Sequence, residues 1–155
     1  MTKQMRDVAL AAVQALNLPV FPCHSGNTEQ GKMKTPLVKG GFHAASKDVE
    51  QIEKWWSVFP DAVIGVPTGS VSNIVAVDID IRENKNGENT LTELGVYFDD
   101  SWQTKTPTGG RHIFFKHPGF EIKNKAGNFL GPGIDFRGDG GYVIFCGSKT
   151  AAGDY

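Results

Sequence analysis

Residues 74–80, Ile-Val-Ala-Val-Asp-Ile-Asp, constrain this chain more than any other stretch. β-branched residues dominate, which suits a pleated, enclosed strand. Side chains alternate along a strand, so Val75, Val77 and Ile79 share one face, and Ala76, Asp78 and Asp80 share the other. The first face must be buried against other apolar surface. The second ends in two carboxylates about 7 Å apart at their Cα atoms. Like charges that close repel, and one would keep its proton unless a cation sat between them. A hard divalent ion such as Mg²⁺ or Mn²⁺ meets that need with oxygen ligands. The same pattern also fits a strand that runs out into solvent with its acids hydrated, so these seven residues leave two readings open.

A chain of 155 residues is long enough to bury a sizeable core, and we expect one domain over residues 1–155. A formal net charge of −1 excludes a global basic field, so any nucleic-acid surface must be a local patch. No apolar run is long enough for a secretory signal or a bilayer span, which makes the cytoplasm the expected location. Cys23 and Cys146 sit far apart in short apolar runs and read as buried free thiols. No Cys/His cluster has the spacing of zinc ligands.

Met5, Val8, Ala9, Ala12, Val13 and Leu16 recur at helical spacing and predict a helix over residues 3–16. A short strand is expected at 18–21. A polar loop then runs from His24 to Gly41 and carries Lys32, Lys34 and Lys39; its length suggests function or disorder. Ser46 is the expected cap of a second helix, whose apolar stripe is Ile52, Trp55, Trp56 and Phe59 and which Pro60 ends. The tryptophans suit a core better than a base-stacking platform. Strands are expected at 62–66, 74–80, 103–106, 111–116, 134–137 and 142–146, with a short helix at 90–94 capped by Gly95. Residues 107–110 and 138–141 carry hairpin signals. The fold class is therefore α/β, more closely α+β, built mainly on antiparallel strands.

Three strand-borne features share one chemical theme. The first is Asp78-Ile79-Asp80. In the second, Thr108-Gly109-Gly110-Arg111-His112, glycines would let backbone amides approach a ligand. The third is Ile134-Asp135-Phe136-Arg137, with Asp135 and Arg137 on one face. Three carboxylates could hold two metal ions for a displacement at phosphorus, and a histidine and an arginine could neutralise phosphate oxygens. Taken singly, the histidine also fits a satisfied hairpin residue and the Asp-Phe-Arg an edge ion pair. Together the acids and the histidine equally suit a metal-dependent nuclease or phosphoesterase, or a nucleotide- or DNA-binding module whose catalytic frame is idle.

Gly65-Val66-Pro67-Thr68-Gly69, Val77-Asp78-Ile79-Asp80, Thr106-Pro107-Thr108-Gly109-Gly110-Arg111-His112 and Gly133-Ile134-Asp135-Phe136-Arg137-Gly138 occur in that order. So arranged, the chain resembles the primase–polymerase (prim-pol) domain of phage and plasmid replication proteins, in the archaeo-eukaryotic primase superfamily. The resemblance spans nearly the whole chain, from about Ala15 through Lys34-Thr35-Pro36 and Trp55-Trp56 to Gly147-Ser148. It implies an RRM-like catalytic sheet packed with an N-terminal α/β unit. It also implies template-directed nucleotidyl transfer by a two-metal mechanism, with Asp78, Asp80 and Asp135 holding Mg²⁺ or Mn²⁺ and His112 on the nucleotide's triphosphate. Arg137 is placed near the phosphates by its face. Lys34, where many relatives carry Lys-x-Pro, is a candidate nucleotide or template contact. Gly109 and Gly110 are candidates for the nucleotide site. The implied partners are nucleoside triphosphates, a single-stranded DNA template and a helicase domain or protein. Lys116 is a candidate for the template surface. Lys123 and Lys125 are weaker candidates that also fit a solvated loop. Relatives usually continue beyond the point matching Tyr155, so the chain fits either an excised fragment truncated at the C-terminus or a stand-alone mobile-element protein.

Overall fold

The computed structural model describes residues 4–98, 100–127 and 129–155. In chain order its elements are α1 (Met5–Leu16), β1 (Phe21–Cys23), a 3-10 turn (Gly41–Ala44), α2 (Val49–Val58), β2 (Val63–Pro67), β3 (Ile74–Ile79), β4 (Ile81–Arg82), β5 (Lys85–Asn86), α3 (Gly87–Leu94), β6 (Trp102–Lys105), β7 (Arg111–Lys116), β8 (Ile134–Arg137), β9 (Tyr142–Ile144), β10 (Lys149–Thr150) and β11 (Gly153–Asp154). This is a mixed α+β fold, and all its strand pairs are antiparallel. The chain forms two compact units, residues 4–67 with 142–155, and residues 68–141.

In the first unit, Met5, Val8, Ala9 and Ala12 make one buried face of α1, and Asn17 ends the helix in the left-handed region at φ 54°. Lys3, the expected start, lies outside the described residues. Asp48 caps α2 by accepting from the Glu50 amide at 3.0 Å. Ser46, the expected cap, instead accepts from the Asp48 amide, also at 3.0 Å, because the chain is still extended there. Trp56 is core: it is 3 % exposed, and its Nε1 donates to the Ala62 carbonyl. The sheet has the order β1-β2-β9. The strand expected at 18–21 is found at Phe21–Cys23 and contains Pro22, which β1 tolerates because it is an edge strand. No disulfide joins Cys23 and Cys146 among the described residues; burial pushes the Cys23 thiol up to about 12, and Cys146 is only half-buried.

The second unit is built on a four-stranded sheet of order β6-β7-β3-β8. Val75, Val77, Ile79, Ile113, Ile134 and Phe136 alternate onto one face and pack with Leu91 of α3. Asn86 caps α3 by accepting from the Glu88 and Asn89 amides, so the helix begins at Gly87 and not near residue 90. Gly95 ends it at φ 66°, as the sequence predicts. Arg111 ties helix to sheet on this side. Its guanidinium donates to both Glu88 oxygens at 2.6 and 3.0 Å and to Gln103 at 2.6 Å.

Residues 107–110 close the β6–β7 hairpin. Residues 138–141 do not make the hairpin their glycines suggest, since β8 pairs with β3 and β9 with β2. The cause is Asp139. Its carboxylate accepts from the Ser70 and Ile122 amides, both at 2.8 Å, and meets His117 Nε2 at 3.2 Å. These bonds fold the turn onto residues 70 and 122 and hold the carboxyl well below its usual range.

Candidate active site

Strand register brings the three sequence features together. β3 lies between β7 and β8, and Asp78 is paired with His112 on one side and with Asp135 on the other. His112, Asp78 and Asp135 therefore form one row across three strands, on the face opposite the apolar core. Arg137 follows Asp135 on the same face, opposite Ala76. Asp80 lies one residue past the end of β3. Its amide donates to the Gly133 carbonyl at 2.8 Å, and its carbonyl accepts from the Gly87 amide at 2.9 Å. That crossing requires glycine, because a Cβ on Gly87 would come within 2.4 Å of the Gly133 oxygen.

The two acids of the first motif live in different fields. The Asp78 side chain is 11 % exposed, and burial works against its charge. His112 Nε2, 3.4 Å from Oδ1, and Arg137 Nη2, 3.4 Å from Oδ2, outweigh that burial and hold the carboxyl below its ordinary value. Asp80 is pushed up, by burial first and then by the charge of Asp78, with Asp135 adding to it and Arg82 and Arg137 opposing. Arg82 stands 3.5 Å from its Oδ2. Asp135 accepts from the Gly127 amide at 2.5 Å and meets the same Arg137 nitrogen at 3.4 Å. Arg137 thus spans Asp78 and Asp135. Asp80 and Asp135, with Arg82, Lys85, Gly127 and Gly133, line a cleft of about 350 Å³. Among the described residues no three His, Cys, Asp or Glu side chains converge as a ready metal cage. The carboxylates face Arg137, His112 and Arg82 instead.

The remaining candidates divide by position. Gly109, at φ 89°, has open space around it, whereas a Cβ on Gly110 would lie 2.0 Å from the Ile79 carbonyl oxygen. The packing of the hairpin against β3 alone accounts for glycine at 110. Lys34 belongs to the first unit. It has φ 71°, its carbonyl accepts from the Tyr142 hydroxyl at 3.0 Å, and its ammonium lies 5.2 Å from the Tyr155 ring centre. Lys116 is exposed and shares the His112 face of β7. Lys125 bridges to Phe136, whose ring packs in the core, so Lys125 leaves the sheet on the side away from Asp135. Arg82 and the Asp139–His117 pair are absent from the residues that sequence reasoning selects. Arg82 had a signal in the sequence, since it continues the alternation 78, 80, 82.

The chain matches the family described as bifunctional DNA primase/polymerase, N-terminal (Prim-Pol), over residues 9–155. It belongs to that family. The match covers all three motifs and both units, as the sequence resemblance implies. No curated protein is significantly similar to the chain. Membership of the Prim-Pol family carries a primase/polymerase type of function in DNA replication, with nucleotides and DNA as substrates. No helix among the described residues is long and apolar enough to cross a membrane.

Proposed function

We propose that this Prim-Pol domain carries out template-directed nucleotidyl transfer, using divalent metal held by Asp78, Asp80 and Asp135, in the replication of a phage, plasmid or other mobile element. The observation that carries the proposal is the cross-strand row His112–Asp78–Asp135 with Asp80 one step beyond it. The donor set is the kind a hard cation takes: Asp78 and Asp135 face each other across β3 and β8, Asp80 follows one step on, and burial first, then the charge of Asp78, pushes Asp80 up. Bound there, Mg²⁺ or Mn²⁺ supplies the charge that eases loss of a proton from the attacking hydroxyl and departure of pyrophosphate.

The chain's own residues do the rest. Arg137, bridging Asp78 and Asp135, sets a positive charge between two adjacent carboxylates and can turn to phosphate oxygens once another cation takes its place. His112 Nε2 stands 3.4 Å from the Asp78 carboxylate, and His112 is the residue assigned to the triphosphate. Gly109 leaves the hairpin open to close approach. Lys116 offers a positive charge on the same face for a template strand.

Primer extension and unprimed synthesis on single-stranded DNA, with Mg²⁺ or Mn²⁺, test the proposal. Nucleotide incorporation by the parent that is lost in Asp78→Asn is the expected result. Shortening of the DNA without added nucleotides would overturn it in favour of a nuclease.

A further inference from the structure

One strand of the catalytic sheet has no role in the site described so far. β6 is its edge, and among the described residues it pairs with β7 alone. Register places Trp102 opposite Phe114 and Thr104 opposite His112, so Trp102 and Thr104 stand on the same face as Asp78 and Asp135. The Trp102 ring stacks on Phe114 at 4.4 Å with an interplanar angle of 27°, yet the residue remains 40 % exposed. Phe114 in turn meets His112 edge-on at 6.1 Å. An aromatic run therefore leads from the acids to the edge of the sheet and ends on an accessible indole. Beside it is a second anomaly. Thr104 is only 9 % exposed, and its hydroxyl finds no hydrogen-bond partner among the described residues. The Thr106 hydroxyl, two residues on, repeats the pattern. Buried hydroxyls normally find partners, and a row of them beside His112 suits a polar ligand.

We infer that β6 is the sugar-and-base subsite for a nucleoside triphosphate, with Trp102 stacking the nucleobase and the Thr104 hydroxyl bonding the sugar. The inference rests on the reading of His112 as the triphosphate contact. Distances along the sheet agree with it. Thr104 stands one strand spacing, about 4.8 Å, beyond His112, and Trp102 lies about 7 Å further along β6. Phosphate, sugar and base thus meet their chemical complements in the order in which a nucleotide carries them. Stacking accepts any base, because every base has a π-face, and so it suits an enzyme whose template changes at each step. A purely structural Trp102 would only shield Phe114 from water.

The test separates these roles by measuring affinity for dATP, for inorganic tripolyphosphate and for single-stranded DNA, each with Mn²⁺. The proteins are the parent, Trp102→Leu, Trp102→Phe and Thr104→Val. Leucine keeps an apolar cover over Phe114 but removes the aromatic face, and thermal melting checks that each variant is folded. Trp102→Leu should weaken dATP binding about five- to hundredfold and leave tripolyphosphate binding unchanged. Trp102→Phe should recover part of the loss, and Thr104→Val should show a smaller, dATP-only loss. Equal dATP affinity in folded Trp102→Leu and parent overturns the subsite while leaving the triphosphate site intact. So does a loss confined to single-stranded DNA, which would assign the indole to the template. If the parent binds neither ligand, the phosphate reading of His112 falls, and this inference falls with it.

Discussion

Val77 and Asp78 are neighbours in sequence and belong to opposite faces of one sheet. Val77 packs with Ile113 and Phe136; Asp78 faces His112, Asp135 and Arg137. Strands β3, β7 and β8 supply both sets, so the residues that stabilise this sheet and those of the candidate site are interleaved at a period of two. The core face is bound by non-directional apolar contact. The acid face concentrates like charge and is kept in order by arginine and histidine. A substitution should therefore affect stability or chemistry according to its parity along the strand, and neighbouring positions should respond in opposite ways.

The largest effect is expected on the acid face. Asp78→Asn keeps the shape of the side chain and removes its charge, so turnover in primer extension should fall at least about a hundredfold while the melting temperature stays near that of the parent. A large drop in melting temperature would show that the two faces are not separable at this row. On the core face, Ile113→Ala empties a fully buried position and should cost about 2–5 kcal/mol in chemical denaturation. Below its own melting temperature that variant should retain nucleotide affinity. His112→Ala should weaken nucleoside triphosphate binding more than binding of Mn²⁺ alone. Loss of a charge-assisted hydrogen bond is worth about 1.5–3 kcal/mol, a tenfold to hundredfold change in affinity. Abolition of metal binding without nucleotide would make His112 a ligand instead.

A smaller effect, with a pH signature, belongs to Asp139, which stands outside both faces. Its folded-state carboxyl is held low by the Ile122 and Ser70 amides and by His117. A depressed value means that its stabilisation is present above the ordinary value of 3.8 and is lost as the pH falls below it. Asp139→Asn should therefore melt a few degrees below the parent at neutral pH, with the gap closing in acid. A gap that is independent of pH would assign the turn to shape and not to charge.

The row of the candidate site was legible in the sequence because its parts are strand-borne and alternate. Asp78, His112 and Asp135 each sit at a fixed parity, and once β3 is central, pairing has to align them. What the sequence does not show is which strands pair. The glycines of 138–141 suit a hairpin locally, but the decision lies with Asp139 and its partners at Ser70 and Ile122, far away in the chain. The start of α3 depends on Asn86, an N-cap signal outweighed by the polar run around it. Gly110 reads as a ligand-facing glycine, and its close neighbour, the Ile79 carbonyl, comes from a strand more than thirty residues earlier. In each case the missing information is non-local contact, to which propensity is blind.

The ends of the second unit meet: the Thr68 amide donates to the Gly141 carbonyl at 2.9 Å, and the strands that lead in and out, β2 and β9, pair with each other. During synthesis the order of events is then fixed by the ribosome. Residues 68–141 emerge as one uninterrupted segment and can close on themselves, whereas the sheet β1-β2-β9 lacks its third strand until Tyr142–Ile144 has left the exit tunnel. The segment bearing the acids can thus fold first, and the unit containing the N-terminus is completed last.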